Sequence, residues 1–109
     1  MFAVIYSFKV KPSRDKQFIE AWKALTELIY QNRGSLGSRL HKSSSGEYIA
    51  YAQWTDQSTW EKPWKDMTSE AKEASFQMHD ACVEIKTLYR LEMTSDLLKD
   101  FPFNLAVNH

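Results

Sequence analysis

From Phe2 to Val10, large apolar side chains fall at every second position (Phe2, Val4, Tyr6, Phe8, Val10), which predicts a strand with one buried face. Its other face carries Ala3, Ile5 and Ser7 rather than charge, so both faces want cover. Lys11-Pro12-Ser13 then opens a helix, with Ser13 placed to cap its free amide groups. At about 100° per residue, Phe18, Trp22, Leu25 and Ile29 share a narrow arc facing a core, while Lys16, Glu20, Lys23 and Glu27 lie elsewhere. Gly34 and Gly37 end this helix and lead into a short strand, Ser38 to Lys42.

Ser43-Ser44-Ser45-Gly46 has the composition of a hairpin turn, and Glu47 to Trp54 reads as an aromatic-rich strand. One side of that strand holds Tyr48, Ala50, Ala52 and Trp54; the other holds Ile49 and Tyr51. Thr55-Asp56-Gln57-Ser58 supplies caps for a second helical region whose first piece is cut short or kinked by Pro63. Helical spacing resumes from about Met67 to Val83, where Met67, Ala71, Ala74, Ser75, Met78 and Cys82 share a face of small and flexible side chains. A last strand runs from Ile85 to Met93, with Ile85, Thr87, Tyr89, Leu91 and Met93 alternating against Lys86, Leu88, Arg90 and Glu92.

Strand, helix, strand, strand, helix, strand is the split βαβ order of an α+β, ferredoxin-like domain, a four-stranded antiparallel sheet with two helices on one face. The uncovered face would then hold Ile5, Ile49, Tyr51 and Leu88, an apolar patch that predicts a homodimer through the sheet. The domain spans residues 1–95. The tail 96–109 carries Leu97, Leu98, Phe101, Phe103 and Leu105, which predicts packing on the domain or on a partner subunit.

Composition narrows the function more than it defines it. The chain has 109 residues, one domain's worth, and its 14 basic and 14 acidic residues cancel. No basic footprint for nucleic acid or an anionic membrane is present. The N-terminal segment has no cationic stretch before its apolar residues, and no run approaches the roughly 18 residues of a membrane span, so the reading is a cytoplasmic protein. Cys82 is the single cysteine, which excludes an intrachain disulfide and a cysteine metal cluster. His41, His79 and His109 are scattered without metal-ligand spacing, and no glycine-rich phosphate loop occurs.

Three segments carry a family resemblance: Phe2 to Trp22 with its Lys11-Pro12-Ser13 junction, Gly34-Ser35-Leu36-Gly37-Ser38-Arg39, and Tyr48 to Trp54 running into Ser58-Thr59-Trp60. Over about residues 1 to 94 the chain resembles the antibiotic biosynthesis monooxygenase (ABM) domain. The resemblance implies a dimeric α+β barrel with a pocket between sheet and helices in each subunit. Some members oxidise anthrones or quinols with molecular oxygen and without metal or flavin, while others bind and degrade haem. The haem-degrading branch uses an Asn on the first strand, a Trp near the start of the second helical region and a His further along it. Trp64 and His79 match the last two, but Tyr6 and Ser7 stand where the Asn is expected.

Cofactor-free oxygenation asks the protein to bind an electron-rich aromatic dry, to orient it and to help remove a proton. His79, at the border of the buried helix face, is the candidate base; beside Cys82 and Met78 it is also where a half-exposed histidine sits. Trp60 and Trp64, spaced four apart, stack on one side if that turn is helical, to pack or to line a flat ligand. Tyr6 and Met78 are candidate pocket residues, and Arg90 a candidate anchor for a phenolate. Arg39, like Arg90, lies on a strand where it could anchor such a group or serve in surface or dimer ion pairs; His41, near a hairpin, reads as solvated, and Cys82 as core rather than nucleophile. The sequence therefore predicts a cofactor-independent monooxygenase for a small quinol- or anthrone-type aromatic. Haem as a cofactor, or a non-catalytic dimeric ligand-binding module, are the alternatives.

Overall fold

The structure is a computed structural model that describes residues 1–99. Its elements are β1 (Phe2–Val10), α1 (Asp15–Asn32), β2 (Ser35–Lys42), β3 (Tyr48–Trp54), α2 (Gln57–Glu61), α3 (Ser69–Asp80) and β4 (Cys82–Glu92). The four strands form one antiparallel sheet in the order β2-β3-β1-β4, the ferredoxin-like arrangement expected. α1 and α3 pack together over one face, tied by the Gln17 amide, which donates to the Gln77 backbone carbonyl at 3.1 Å and to Asp80 at 3.1 Å.

The core sits where the alternation of β1 meets the stripe of α1. Phe18, fully buried, lies 4.9 Å from the Phe8 ring and 5.0 Å from that of Tyr48, both in tilted contact. Phe18→Ala would open a void that neighbouring rings fill only partly, and is expected to cost about 3–5 kcal/mol, read as a lower denaturant midpoint at unchanged slope.

Several boundaries differ from those the sequence predicts, each for a local reason. Ser13 does not cap α1: it adopts φ 68, the left-handed region, and Arg14 takes the cap position without a side-chain bond. Lys11 and Arg14 close that turn through a 3.1 Å backbone bond. α1 ends at Asn32 with Gly34 at φ 77 beyond it, and β2 begins earlier than expected, at Ser35. Gly37 lies within β2, at a register shift where its φ of 101 suits glycine. α2 ends at Glu61, so Pro63 leaves Trp64 outside any helix and the two tryptophans do not share a helical face.

α3 ends at Asp80, and Cys82 begins β4 opposite Val10 instead of continuing the helix face. The more consequential departure is the register shift in β4. Thr87 pairs with Tyr6 and Tyr89 with Ile5, which leaves Leu88 as the extra residue of a bulge. One inserted residue reverses the alternation beyond it. Arg90, opposite Val4, therefore faces the helices, while Tyr89 and Leu91 join Ile5, Ile49 and Tyr51 on the outer face. Tyr89 is 60% exposed and Leu91 43%.

Leu97 and Leu98 of the tail pack on nothing among the described residues, and Phe101, Phe103 and Leu105 lie outside them. No described helix is long and apolar enough to cross a membrane.

Three carboxylates stitch helix ends to the rest of the fold. A hydrogen bond from Tyr48 at 2.7 Å holds Asp15 below the usual carboxylate range, and Lys42 adds to this. Gln17 and then Arg14 do the same for Asp80, and the Thr59 hydroxyl and amide for Asp56, the cap of α2. A carboxylate with a lowered folded pKa stabilises above its unfolded value and loses that contribution as pH falls through the folded one. The melting temperature is thus expected to hold through neutral pH and to fall below the ordinary carboxylate range. Asp15→Asn and Asp80→Asn should each lower it near neutrality and flatten that acid limb in a pH series of thermal melts.

Candidate active site

Alternation along β1 and β3 places Tyr6 and Phe8 beside two small residues, Ala50 and Ala52, on the face that α1 covers. Small side chains at the middle of a sheet leave space where larger ones would fill it. A cavity of about 270 Å³ results, floored by Tyr6, Phe8, Ala50, Ala52 and Trp54. Trp22, Leu25, Thr26 and Ile29 of α1 roof it, and Met78 and His79 of α3 with Ile85 of β4 close one side. Ser35 and Ser38 line the β2 side, but their hydroxyls already donate to the Gln53 and Tyr51 carbonyls. The wall is thus largely apolar with few free polar groups.

Two of those groups have hydrogen bonds that settle what remains of their valence. The Tyr6 hydroxyl accepts from the Trp60 indole N–H at 2.9 Å, which leaves the phenol's own proton uncommitted among the described residues. Burial raises the Tyr6 pKa, opposed by the Trp60 hydrogen bond and the positive charges of Arg33 and Arg90, so the group stays a neutral donor at physiological pH. His79 lies at the exposed end of α3 with Nδ1 2.8 Å from the Ser75 carbonyl. A carbonyl only accepts, so Nδ1 is the donor in this contact, and Nε2 makes no hydrogen bond among the described residues.

The candidate residues separate spatially. Tyr6, Met78 and His79 line the cavity. Trp60 reaches it only through the Tyr6 hydroxyl, its ring packed 5.7 Å from Phe2. Arg90, brought to this side by the β4 bulge, stacks its guanidinium 5.4 Å over the Trp60 ring, behind the cavity wall. Trp64 lines a separate, open depression of about 630 Å³ with Arg33, Lys62 and Lys65. Arg39 and His41 pair with Tyr51 and Ile49, on the outer face. Cys82 is buried, its thiol pKa pushed up by that burial, as expected of a core residue.

Sequence reasoning missed the cavity roles of Trp22 and Trp54, and missed Arg33 entirely. Arg33 lies 5.4 Å from the Trp54 ring centroid and 5.9 Å from that of Trp64, and it donates to the carbonyls of Trp60 and Lys62. A charged residue just past a helix end gives no periodic signal that could have singled it out.

The residues fit haem poorly. Ordinary ligand pockets run from about 300 Å³ upward, and 270 Å³ between these walls suits two or three fused rings rather than a tetrapyrrole with its propionates. Among the described residues no three His, Cys, Asp or Glu side chains gather to hold a metal ion.

The fold is an α+β sandwich of the ferredoxin-like class, with an apolar cavity between sheet and helices, the Tyr6 phenol in its floor and the His79 imidazole at its rim. The family model for antibiotic biosynthesis monooxygenase matches residues 1–66, and the chain belongs to that family. Its match contains Tyr6, Trp60 and Trp64 but stops before Met78, His79 and Arg90. A candidate antibiotic biosynthesis monooxygenase from Bordetella bronchiseptica superimposes with a TM-score of 0.71 at 18% identity, covering 86% of this chain and 97% of that one. Another, from Caulobacter crescentus, gives 0.69 at 18% identity over 86% and 90%. A mutant of SnoaB, a cofactor-independent oxygenase from Streptomyces nogalater, gives 0.70 at 12% identity over 90% and 97%. At these identities the likeness is one of fold. A search of curated proteins found no match.

Proposed function

We propose that this protein is a cofactor-independent monooxygenase that oxidises a small electron-rich aromatic, of quinol or anthrone type, with molecular oxygen. The observation that carries this reading is the pairing, on one apolar cavity, of an uncommitted Tyr6 O–H with a His79 imidazole whose Nε2 makes no hydrogen bond among the described residues. SnoaB, of like fold, performs cofactor-independent oxygenation, which supports the same class of chemistry here.

In an anthrone, Nε2 of His79 removes a proton from the ring CH₂ group while the Tyr6 O–H donates to the ring carbonyl oxygen, which gathers the resulting charge. The carbanion passes one electron to oxygen; the substrate radical and superoxide combine to form a C–O bond. Protonation by the imidazolium gives the hydroperoxide. Loss of water then leaves a carbonyl, so CH₂ and O₂ become C=O and H₂O. Apolar walls exclude solvent from the carbanion and hold the ring plane. Met78, Trp22 and Phe8 supply that surface.

We further propose that the protein works as a homodimer joined through the outer sheet face, where Ile5, Tyr51, Tyr89 and Leu91 adjoin. The test of the activity is oxygen uptake by chelator-treated protein over a panel of anthrones and quinols, corrected for their spontaneous oxidation. Uptake above background with a product one carbonyl richer is expected; none with any compound would overturn the reading.

A further inference from the structure

α2 is a single short turn with no buried residue, too brief to hold its own shape. Nevertheless, Trp60 on that turn supplies the hydrogen bond on which the Tyr6 hydroxyl depends. Something outside α2 must fix it. The Asp56 cap orders the first amide groups but does not reach the indole end. Phe2 and Arg90 pack on the indole ring, and Arg33, at the close of α1, holds the backbone that carries it: its Nη2 donates to the Trp60 carbonyl at 3.3 Å and to the Lys62 carbonyl. Its guanidinium is itself seated between the rings of Trp54 and Trp64. The corner is also tight, since a Cβ on Gly34 would meet Thr59 Cγ2 at 3.3 Å.

We infer that Arg33 is a positioning residue for the cavity: by holding the Trp60–Lys62 backbone it seats the Trp60 indole on Tyr6, and so keeps the phenol's proton for a ligand oxygen. Arg33 touches no ligand in this arrangement. The planar guanidinium matches two carbonyls and two ring faces at once, which a lysine ammonium on a flexible stem does not. The inference rests on the reading that the Tyr6 hydroxyl meets the ligand, and it adds the residue that makes this hydroxyl a directed donor.

The test uses two probes of equal ring count, 9-fluorenone and fluorene, which differ by one carbonyl and are titrated under nitrogen so that neither is oxidised. A single directed hydrogen bond is expected to give wild-type protein about three- to tenfold tighter binding of fluorenone. Tyr6→Phe should bring the two probes to parity. Arg33→Met should do the same with Tyr6 intact, and should speed hydrogen exchange at the Trp60 indole N–H about tenfold, a resonance assigned by its loss in Trp60→Phe. If Arg33→Met folds poorly, Arg33→Lys answers the question: it keeps the cation and is still expected to lose most of the preference. A role in stability alone would lower the melting temperature yet leave the probe ratio and the indole exchange unchanged, and that result overturns the inference. Preference that survives Tyr6→Phe would instead overturn the assignment of Tyr6. Failure of both probes to bind wild-type protein would overturn the cavity as an aromatic site.

Discussion

Replacing His79 with glutamine is expected to lower anthrone or quinol turnover by about 10²–10⁴-fold, the range set by removing a positioned proton acceptor. Glutamine keeps comparable bulk and can still hydrogen-bond the Ser75 carbonyl, but it cannot take the proton. His79 is exposed, and among the described residues its only hydrogen bond is to its own helix, so the folded state should lose little, within about 0.5 kcal/mol. The signature is therefore a large fall in kcat with a nearly unchanged thermal midpoint and nearly unchanged fluorenone affinity. Wild-type turnover in His79→Gln would remove the imidazole from the reaction. The residual rate matters too: Tyr6 and the apolar cavity would still orient the substrate, so turnover should remain above the spontaneous rate.

The fold was legible because its signals are local and periodic. Five alternating residues of β1 and four at helical spacing on α1 meet as the core they predict, in the Phe8–Phe18–Tyr48 contact. What stayed hidden depends on events that leave no period. The Leu88 bulge reverses β4, so strict alternation from Ile85 places Arg90 on the wrong face and omits Tyr89 and Leu91 from the outer one. The Ser13 turn replaces an expected side-chain cap with a left-handed residue. In the site, Tyr6 and Met78 follow from facing the core, and the structure sets His79 at the same cavity. Trp60 was visible as an aromatic in the second helical region, but its role as donor to Tyr6 was not, because the partners lie 54 residues apart. Arg33 had no sequence signal at all; only the convergence of two ring faces and two carbonyls marks it.

Replacing Ile5 with glutamate is expected to leave single chains where the wild-type protein, on our proposal, forms two-fold pairs. Ile5 sits at the centre of the outer face, paired with Tyr51 on one side and Tyr89 on the other. A two-fold interface repeats each substitution, so two carboxylates would be buried close together without partners. Breaking a buried charge balance in this way costs about 3–5 kcal/mol, which corresponds to roughly 10²–10³-fold or more in dissociation constant. Light scattering at micromolar concentration reads this as a halved mass. Lys72→Glu, exposed on α3 well away from this face, is the matched control and should leave the mass unchanged. A dimeric Ile5→Glu variant would place the contact elsewhere, and a monomeric wild type would overturn the homodimer itself. Ile5 faces away from the cavity, so fluorenone binding should survive in the separated chains unless the partner shapes the site. Loss of probe binding together with the dimer would make the outer face part of the catalytic apparatus, with the sheet transmitting partner contact to the Tyr6 floor on its other side.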